Sequence, residues 1–417
     1  MKEKLFNRNF TLLLLGQVFS LIGNYTLKFA LSMYVLERTG SASVFAGLLA
    51  AATVPQVLLA PLGGVLVDRL NRKNMMVVLD VLSGTTVFLT FLLLKGEGSA
   101  LAVIGIGQVV LGVFGAFETP AVQACVPQMQ TGENLLKGNA AVNQIQAVAG
   151  LVTPFFGSLL YTAFGIRPVL AVCAACFFLT ACLECFIRLP FVRRPKGEGA
   201  LQIVREDLRE GMNFLLKKRP EVFRLLLLAA LASFFIVGTA VVGLPYLVRN
   251  VLGLSAQHYG AAESLMGAAS VAGAIGVGLL AGKLRRAGLH RLMIAVGAAL
   301  VPAGAAFLLP FPAGVRYIIL LLSFCIAQAV CCMFSVLALS MIQEGTPAHL
   351  TGKIMACVIA LSTCAQPAGQ VIYGLLFDLF SGEVWLVILP TAAAVIAAGC
   401  LSADFLRRFF RETPEAG

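Results

Sequence analysis

The sequence predicts an all-α integral membrane protein with twelve transmembrane helices in two pseudo-symmetric six-helix halves. Of the 417 residues, 59% are hydrophobic and 12% are charged, whereas roughly a quarter of the residues are charged in a soluble globule. Apolar stretches of about 20 residues recur along the chain, and each is long enough to span a ~30 Å hydrocarbon core. The third observation is an internal repeat: Gly64-Val-Leu-Val-Asp-Arg-Leu-Asn-Arg-Lys has a weaker copy about half the chain further on, beginning at Gly278.

The apolar stretches divide the chain into two halves and a linker. The predicted spans of the first half lie near 10–36, 43–67, 74–94, 99–124, 135–162 and 167–188. Those of the second half lie near 221–248, 257–282, 289–309, 314–340, 352–377 and 383–405. The halves therefore cover residues 1–189 and 221–417. Apolar residues recur at helical spacing in the cytoplasmic linker, 190–220, which favours an amphipathic helix at the membrane surface over a solvated tether.

The charge distribution indicates membrane orientation. With both termini in the cytoplasm, most of the 31 basic residues fall on the inner side, as the positive-inside rule requires. The basic residues that give the chain its net charge of +11 then face anionic membrane lipid, and we expect no nucleic-acid partner. The expected location is a bacterial-type inner (plasma) membrane, and the expected state is a monomer. Eleven cysteines lie almost wholly within apolar spans, which argues against a disulfide framework.

The segment from Gly64 to Lys73 resembles the loop between the second and third helices of the major facilitator superfamily, and the resemblance extends over the whole chain. Asn71 stands where that family usually has Gly, and Asn also tolerates left-handed backbone. Other segments are similar to the macrolide-efflux branch, namely Pro120-Ala121, Val126-Pro127, Glu133, Asn139-Ala140, Tyr259-Gly260 with Glu263, and Gly352-Lys353. The resemblance implies the major facilitator fold and a secondary transporter that exports a drug-like or amphipathic small molecule in exchange for protons. Siderophore and lysophospholipid exporters share parts of the pattern and remain alternatives.

In that superfamily the loop is a gate, which implies gating roles for Gly64, Asp68, Arg69 and Arg72. An acid at the inner end of a helix can accept hydrogen bonds from the facing half. Such contacts hold one conformation and must break in the other, so they bias the equilibrium. The alternative, anchoring of the topology by basic residues, does not explain Asp68, because acids contribute little to orientation.

Two acids within the spans are candidates for proton coupling, Glu118 and Glu263. Glu118 has no basic residue nearby in sequence, so loss of hydration favours reversible protonation over a permanent charge. Alternatively, it keeps one proton and bonds a backbone carbonyl. Glu263 shares its depth with Lys28 of the first span, which predicts a charge pair across the halves. Otherwise Lys28 extends to the membrane surface and Glu263 serves a local helix start.

Three further acids, Asp80, Glu184 and Asp404, lie near inner helix ends. For these we expect local ion pairs, such as Glu184 with Arg188 four residues later.

Polar faces on three spans predict a substrate cavity. A polar stripe on a membrane helix is costly against lipid, so it should face a cavity or a partner helix. The candidate residues are Gln17, Asn24, Lys28, Asn139, Asn143, Gln146, Gln366 and Gln370. Amides bind many substrates without requiring one charge, which suits a polyspecific or amphipathic cargo. Hydrogen bonds between packed helices are the alternative explanation.

Other function classes fit the sequence less well. It contains no Walker pattern, and the linker is too short for a nucleotide-binding domain, so we expect no ATP hydrolysis within this chain. The three histidines, His258, His290 and His349, lie at different membrane edges, so we expect no metal cluster, no resident cofactor and no enzyme activity. A transport-inactive membrane sensor or assembly partner remains possible, although the gate loop and the polar faces argue against it.

Overall fold

The computed structural model describes residues 5–94, 100–189, 200–280, 288–347 and 350–412. Within these residues the protein is helical and has no strand, and twelve helices are long and apolar enough to cross a membrane. The predicted fold class is therefore confirmed. The second copy of the repeated loop falls largely on residues 281–287, outside the described part, as do the side chains of Asp68 and Asp404.

The helices follow the chain in two sets of six around a linker helix. The first set is α1 (Arg8–Thr39), α2 (Ala42–Arg69), α3 (Arg72–Leu93), α4 (Ala100–Met129), α5 (Glu133–Phe164) and α6 (Ile166–Cys185). The linker contains α7 (Ala200–Lys217). The second set is α8 (Pro220–Val251), α9 (Ala256–Leu280), α10 (Leu289–Leu308), α11 (Ala313–Glu344), α12 (Thr351–Leu379) and α13 (Trp385–Glu412).

Helix α8 is irregular along its second half. Segments Val237–Gly243 and Leu247–Val251 have π-helical hydrogen bonding, on either side of a short α-helical turn. At Gly238 the backbone meets an aromatic ring of α12, where an added Cβ would lie 2.1 Å from Cδ2 of Tyr373. Only glycine allows this approach. The apolar pattern of the sequence predicted an ordinary helix with 3.6 residues per turn here and did not predict these wider turns.

The chain packs as two compact units. Unit 1 comprises Met1–Arg38 and Ala51–Val204, and unit 2 comprises Thr39–Ala50 and Arg205–Gly417. Helix α2 therefore begins in unit 2 and continues in unit 1. The division into halves 1–189 and 221–417 with a linker at 190–220 stays a prediction about domains.

Each unit, taken by itself, repeats one pattern of helix packing. In unit 1, α3 packs against α4 and α6, and in unit 2, α10 packs against α11 and α13. A Cβ on Gly112 of α4 would lie 2.1 Å from the carbonyl oxygen of Ala52 on α2, and a Cβ on Gly273 of α9 would lie 2.3 Å from that of Ala329 on α11. Small residues let membrane helices approach this closely. The duplication inferred from sequence is thus visible inside each unit.

Candidate functional site

The loop between α2 and α3 ends in a capped helix. The side chain of Asn71 accepts a hydrogen bond from the backbone N–H of Asn74, 3.2 Å away, and so satisfies one of the free donors at the start of α3. The backbone of Asn71 is extended, with φ −69°, rather than left-handed. Asparagine at this position is therefore explained by capping and not by backbone freedom.

Arg72 fixes this loop to the neighbouring helix. Its Nη1 donates to the carbonyl oxygen of Ala124 on α4 at 2.7 Å, and its Nε donates to that of Val67 on α2 at 3.4 Å. Arg69, at the end of α2, is half-buried. The gating roles of Gly64, Asp68, Arg69 and Arg72 stay predictions. The carboxylate of Asp68 lies outside the described residues.

The two adjacent glycines of α2 have different surroundings. A Cβ on Gly64 would meet no atom within 4 Å, whereas a Cβ on Gly63 would lie 2.2 Å from the carbonyl oxygen of Ala116 on α4. Pro120, four residues after Ala116, has no N–H to bond that carbonyl. The close approach of Gly63 covers the oxygen that Pro120 leaves without its helical donor. The steric requirement therefore belongs to Gly63, which the loop pattern did not single out.

Three acids meet inside unit 1. Glu118 on α4 accepts a hydrogen bond from the hydroxyl of Ser20 on α1, with Oγ 3.0 Å from Oε1. Asp80 on α3 and Glu184 on α6 are each 1% exposed and lie beside it, with their carboxyl groups within hydrogen-bonding reach of each other. We call Asp80, Glu118 and Glu184 the acid cluster.

The expected ion pair between Glu184 and Arg188 is wrong. Both carboxyl oxygens of Glu184 are buried without a hydrogen-bond partner. Helix α6 ends at Cys185, so Arg188 lies beyond the helix and the rule for residues four apart does not apply. Instead, the backbone of Arg188 bonds the side chain of Asn9 at 2.8 and 3.1 Å. The sequence did hold a signal for the cluster, because all three acids lie within about two turns of a predicted inner helix end.

The predicted cavity residues of unit 1 differ in exposure. On α1, Gln17 is buried, whereas Asn24 and Lys28 are exposed. On α5, Asn139 and Asn143 are exposed and Gln146 is half-buried.

In unit 2, Gln370 of α12 is 5% exposed and its Oε1 has no hydrogen-bond partner, while Gln366, one turn earlier, is half-buried. Glu263 of α9 lies within hydrogen-bonding reach of Tyr259, also one turn earlier on its own helix. Because Lys28 and Glu263 belong to different units, their pairing stays a prediction.

A second cluster of contacts, which the sequence did not predict, surrounds Asp378 near the end of α12. Its carboxylate accepts hydrogen bonds from the backbone N–H groups of Ala42 and Ser43, at 2.7 and 2.9 Å. The hydroxyls of Ser41 and Ser43 also donate to it, at 2.6 and 2.5 Å. Asp378 therefore caps the start of α2, a role that a side chain usually performs for its own helix. All of these residues belong to unit 2.

None of these groups resembles a metal site. Among the described residues, no group of three or more His, Cys, Asp or Glu side chains could hold a metal ion. The chemistry that the site offers is proton binding and hydrogen bonding.

Comparisons with known proteins agree with this architecture. Macrolide efflux protein A of Streptococcus pyogenes is 23% identical over 413 residues, covering 94% of this chain and 95% of that protein. The multidrug efflux pump Tap of Mycobacterium bovis is 24% identical over 384 residues, covering 88% of this chain and 86% of that protein. A crystal structure of a bacterial homologue of the iron transporter ferroportin, in an inward-facing state, superposes with a TM-score of 0.72 at 17% identity, covering 96% and 98% of the two chains.

Residues 13–368 match the family model described as Major Facilitator Superfamily. Members of this superfamily are transporters of small molecules rather than enzymes, and the twelve apolar helices make this chain a multi-pass membrane protein. The match spans most of the chain and includes the loop between α2 and α3, the acid cluster and both polar faces of unit 1. The chain therefore belongs to the Major Facilitator Superfamily.

Proposed function

We propose that the protein exports a drug-like or amphipathic small molecule of the macrolide type by alternating access, in exchange for protons. The two efflux relatives, each similar over most of the chain, support the direction and the cargo class. One contact supports the coupling to protons, the hydrogen bond from Ser20 to Glu118. A hydroxyl both donates and accepts, so it bonds either protonation state of a carboxyl group, whereas a cationic partner would hold the carboxylate charged.

The proton gradient supplies enough free energy for this task. One proton crossing ~100 mV yields about 2.3 kcal/mol, and one pH unit adds about 1.4 kcal/mol. Together they sustain a roughly 500-fold gradient of a neutral cargo.

Within this scheme the residues have separate roles. Glu118 exchanges the proton, and Glu263 is a second candidate, paired with Lys28 or with its neighbour Tyr259. Asp68 acts at the inner gate, together with Gly64, Arg69 and Arg72. Arg72 supports the assignment, because its contacts with α2 and α4 make the loop a fixed corner rather than a free tether.

The cargo meets the polar faces of α1, α5 and α12. Their amides can exchange hydrogen bonds with a large polar molecule without selecting one charge. We place the protein in the inner membrane as a monomer with both termini in the cytoplasm, where its basic segments contact anionic lipid.

A transport assay tests the proposal. Cells that express the wild type, Glu118→Gln or the control Glu344→Gln are loaded with radiolabelled erythromycin, with and without a protonophore. Glu344 is the exposed last residue of α11, far in sequence from the acid cluster. We expect low accumulation in the wild type and the control, and high accumulation in Glu118→Gln and after collapse of the gradient.

Equal accumulation of erythromycin in all conditions would refute the proposal. The same cells loaded with a siderophore or a lysophospholipid distinguish the alternative exporters. A transport-inactive sensor would move none of the three.

A further inference from the structure

Two of the three acids in the acid cluster, Asp80 and Glu184, are buried beside each other. Asp80 and Glu184 are each 1% exposed, and their carboxyl groups lie within hydrogen-bonding reach of each other. Oδ1 of Asp80 and both carboxyl oxygens of Glu184 have no hydrogen-bond partner among the described residues. Two carboxylates are acceptors only, so a hydrogen bond between them requires a proton on one of the pair.

The surroundings favour a proton over any other ligand. The described groups that face the pair are Ser20 on α1, Glu118 and Cys125 on α4, and, near Cys125, Arg72 at the start of α3. The guanidinium of Arg72 is engaged with the carbonyls of Val67 and Ala124. Buried like charges without an ion-pair partner are very costly, and a bound proton removes that cost. The cluster also lacks the geometry of a metal site among the described residues.

Ser20 connects the pair to the third acid. Its hydroxyl donates to Glu118 and lies within hydrogen-bonding reach of Asp80 as well. The side chains of Asp80 and Glu184 are almost fully buried, whereas Glu118 is only partly buried. Glu118, Ser20, Asp80 and Glu184 therefore form one continuous series of hydrogen-bonding groups.

We propose that Asp80 and Glu184 share a stored proton that exchanges with Glu118 through the hydroxyl of Ser20. When the Ser20 hydroxyl turns from Glu118 toward Asp80, a protonated Glu118 gives its proton to Ser20 Oγ while the hydroxyl proton of Ser20 passes to the carboxylate of Asp80, and the reverse transfer returns it. No electron moves and no group is lost. The inference deepens the proposed function and rests on proton exchange at Glu118, but it assigns the store to residues outside the predicted proton-coupling positions.

Infrared spectroscopy of the full-length protein in liposomes tests the store without a cargo. The variants are Asp80→Asn and Glu184→Gln, with Glu344→Gln as the control. An amide N–H replaces the shared proton, so both variants should fold while the remaining acid becomes an ionised carboxylate. We expect each to lose one protonated-carboxyl band that the wild type and the control retain at neutral pH.

Exchange into D2O tests the path. The band of the acid pair should shift about tenfold more slowly in Ser20→Ala, the effect of losing one hydrogen bond. Ser20→Thr keeps the hydroxyl and should exchange as the wild type does. Ser32→Ala is the matched control, because that buried hydroxyl on the same helix donates to the backbone carbonyl of Lys28.

The outcomes separate the two proposals. An unchanged band in Glu184→Gln and Asp80→Asn, or equal exchange rates in Ser20→Ala and the wild type, overturns the stored proton even if Glu118→Gln abolishes erythromycin efflux. Loss of the band with slowed exchange supports the site. If efflux is then insensitive to Glu118→Gln, the proposed antiport is refuted and the proton store stands.

Discussion

Asp378 and Ser43 are joined twice: the carboxylate Oδ2 accepts from the backbone N–H of Ser43 at 2.9 Å and from its hydroxyl at 2.5 Å. Ser43 lies in the first turn of α2 and Asp378 in the last turn of α12. The negative charge therefore lies at the positive end of the dipole of α2, where it satisfies free N–H groups. This contact ties the first residues of α2 into unit 2, while the rest of the helix belongs to unit 1.

Replacing Asp378 by Asn should loosen the start of α2. The amide keeps one acceptor oxygen but loses the charge and the second acceptor, and loss of an N-cap contact costs about 0.5–2 kcal/mol. We expect faster hydrogen–deuterium exchange of the amides in residues 41–46 of the full-length protein, with unchanged exchange elsewhere in unit 2. Glu383→Gln, an exposed acid in the following loop, is the control. Equal exchange in Asp378→Asn and the wild type would show that the cap contributes nothing.

Adding a methyl group at Gly63 should destabilise unit 1, whereas the same change at Gly64 should not. The Cβ of Gly63→Ala would meet the backbone oxygen of Ala116, which cannot move as a side chain does, and overpacking of this kind costs about 1–3 kcal/mol. Gly64→Ala meets open space and is the matched control. Thermal unfolding in detergent should give a lower midpoint for Gly63→Ala alone. A lower midpoint for both variants would show that the close contact at Gly63 is not the cause, because Gly→Ala by itself favours a helix.

Exchanging Arg72 for Lys should weaken the corner between α2 and α3. A single ammonium group cannot reproduce the fork with which the guanidinium reaches the carbonyls of Val67 and Ala124. We expect a loss of about 1 kcal/mol in the free energy of unfolding, the typical value for one hydrogen bond. Lys73→Arg, which keeps the charge of the same loop, is the control. If both variants unfold alike, the basic residues act only through their charge.

The twelve membrane-spanning helices could be predicted because each one is a continuous apolar stretch of the sequence. Each of the twelve predicted spans overlaps a helix, since a backbone inside a membrane must satisfy its own hydrogen bonds. The repeat from Gly64 to Lys73 predicted the duplicated halves, and each unit shows the corresponding packing. The π-helical turns of α8 could not be found in this way, because hydropathy does not encode contacts such as that of Gly238, in the first of these turns, with the ring of Tyr373 on another helix.

The contacts of the acids were harder to predict. Glu184 lies beside Asp80 and does not pair with Arg188, because α6 ends between Glu184 and Arg188. Helix ends are the least certain part of a sequence-based prediction. Nothing in the sequence singled out Asp378. Its partners, Ser41 and Ser43, are separated from it by most of the chain, so no local pattern could reveal the contact.

Packing, rather than charge, should hold the linker helix α7 against α12. Glu210 forms an ion pair with Lys353 at 2.5 Å, but the two side chains are 55% and 32% exposed, and such pairs contribute about 0–1 kcal/mol. A Cβ on the adjacent Gly211 would lie 3.0 Å from the carbonyl oxygen of Lys353 and 2.9 Å from Sγ of Cys357. Gly211→Val should therefore cost about 1–3 kcal/mol and lift the helix from α12.

Hydrogen–deuterium exchange of residues 206–217 in the full-length protein measures both effects. We expect clearly faster exchange in Gly211→Val and little change in Glu210→Gln. High salt should leave the wild type almost unaffected, because an exposed ion pair contributes little that screening could remove. If Glu210→Gln or high salt releases the helix as fully as Gly211→Val does, the ion pair rather than the close backbone contact holds it in place.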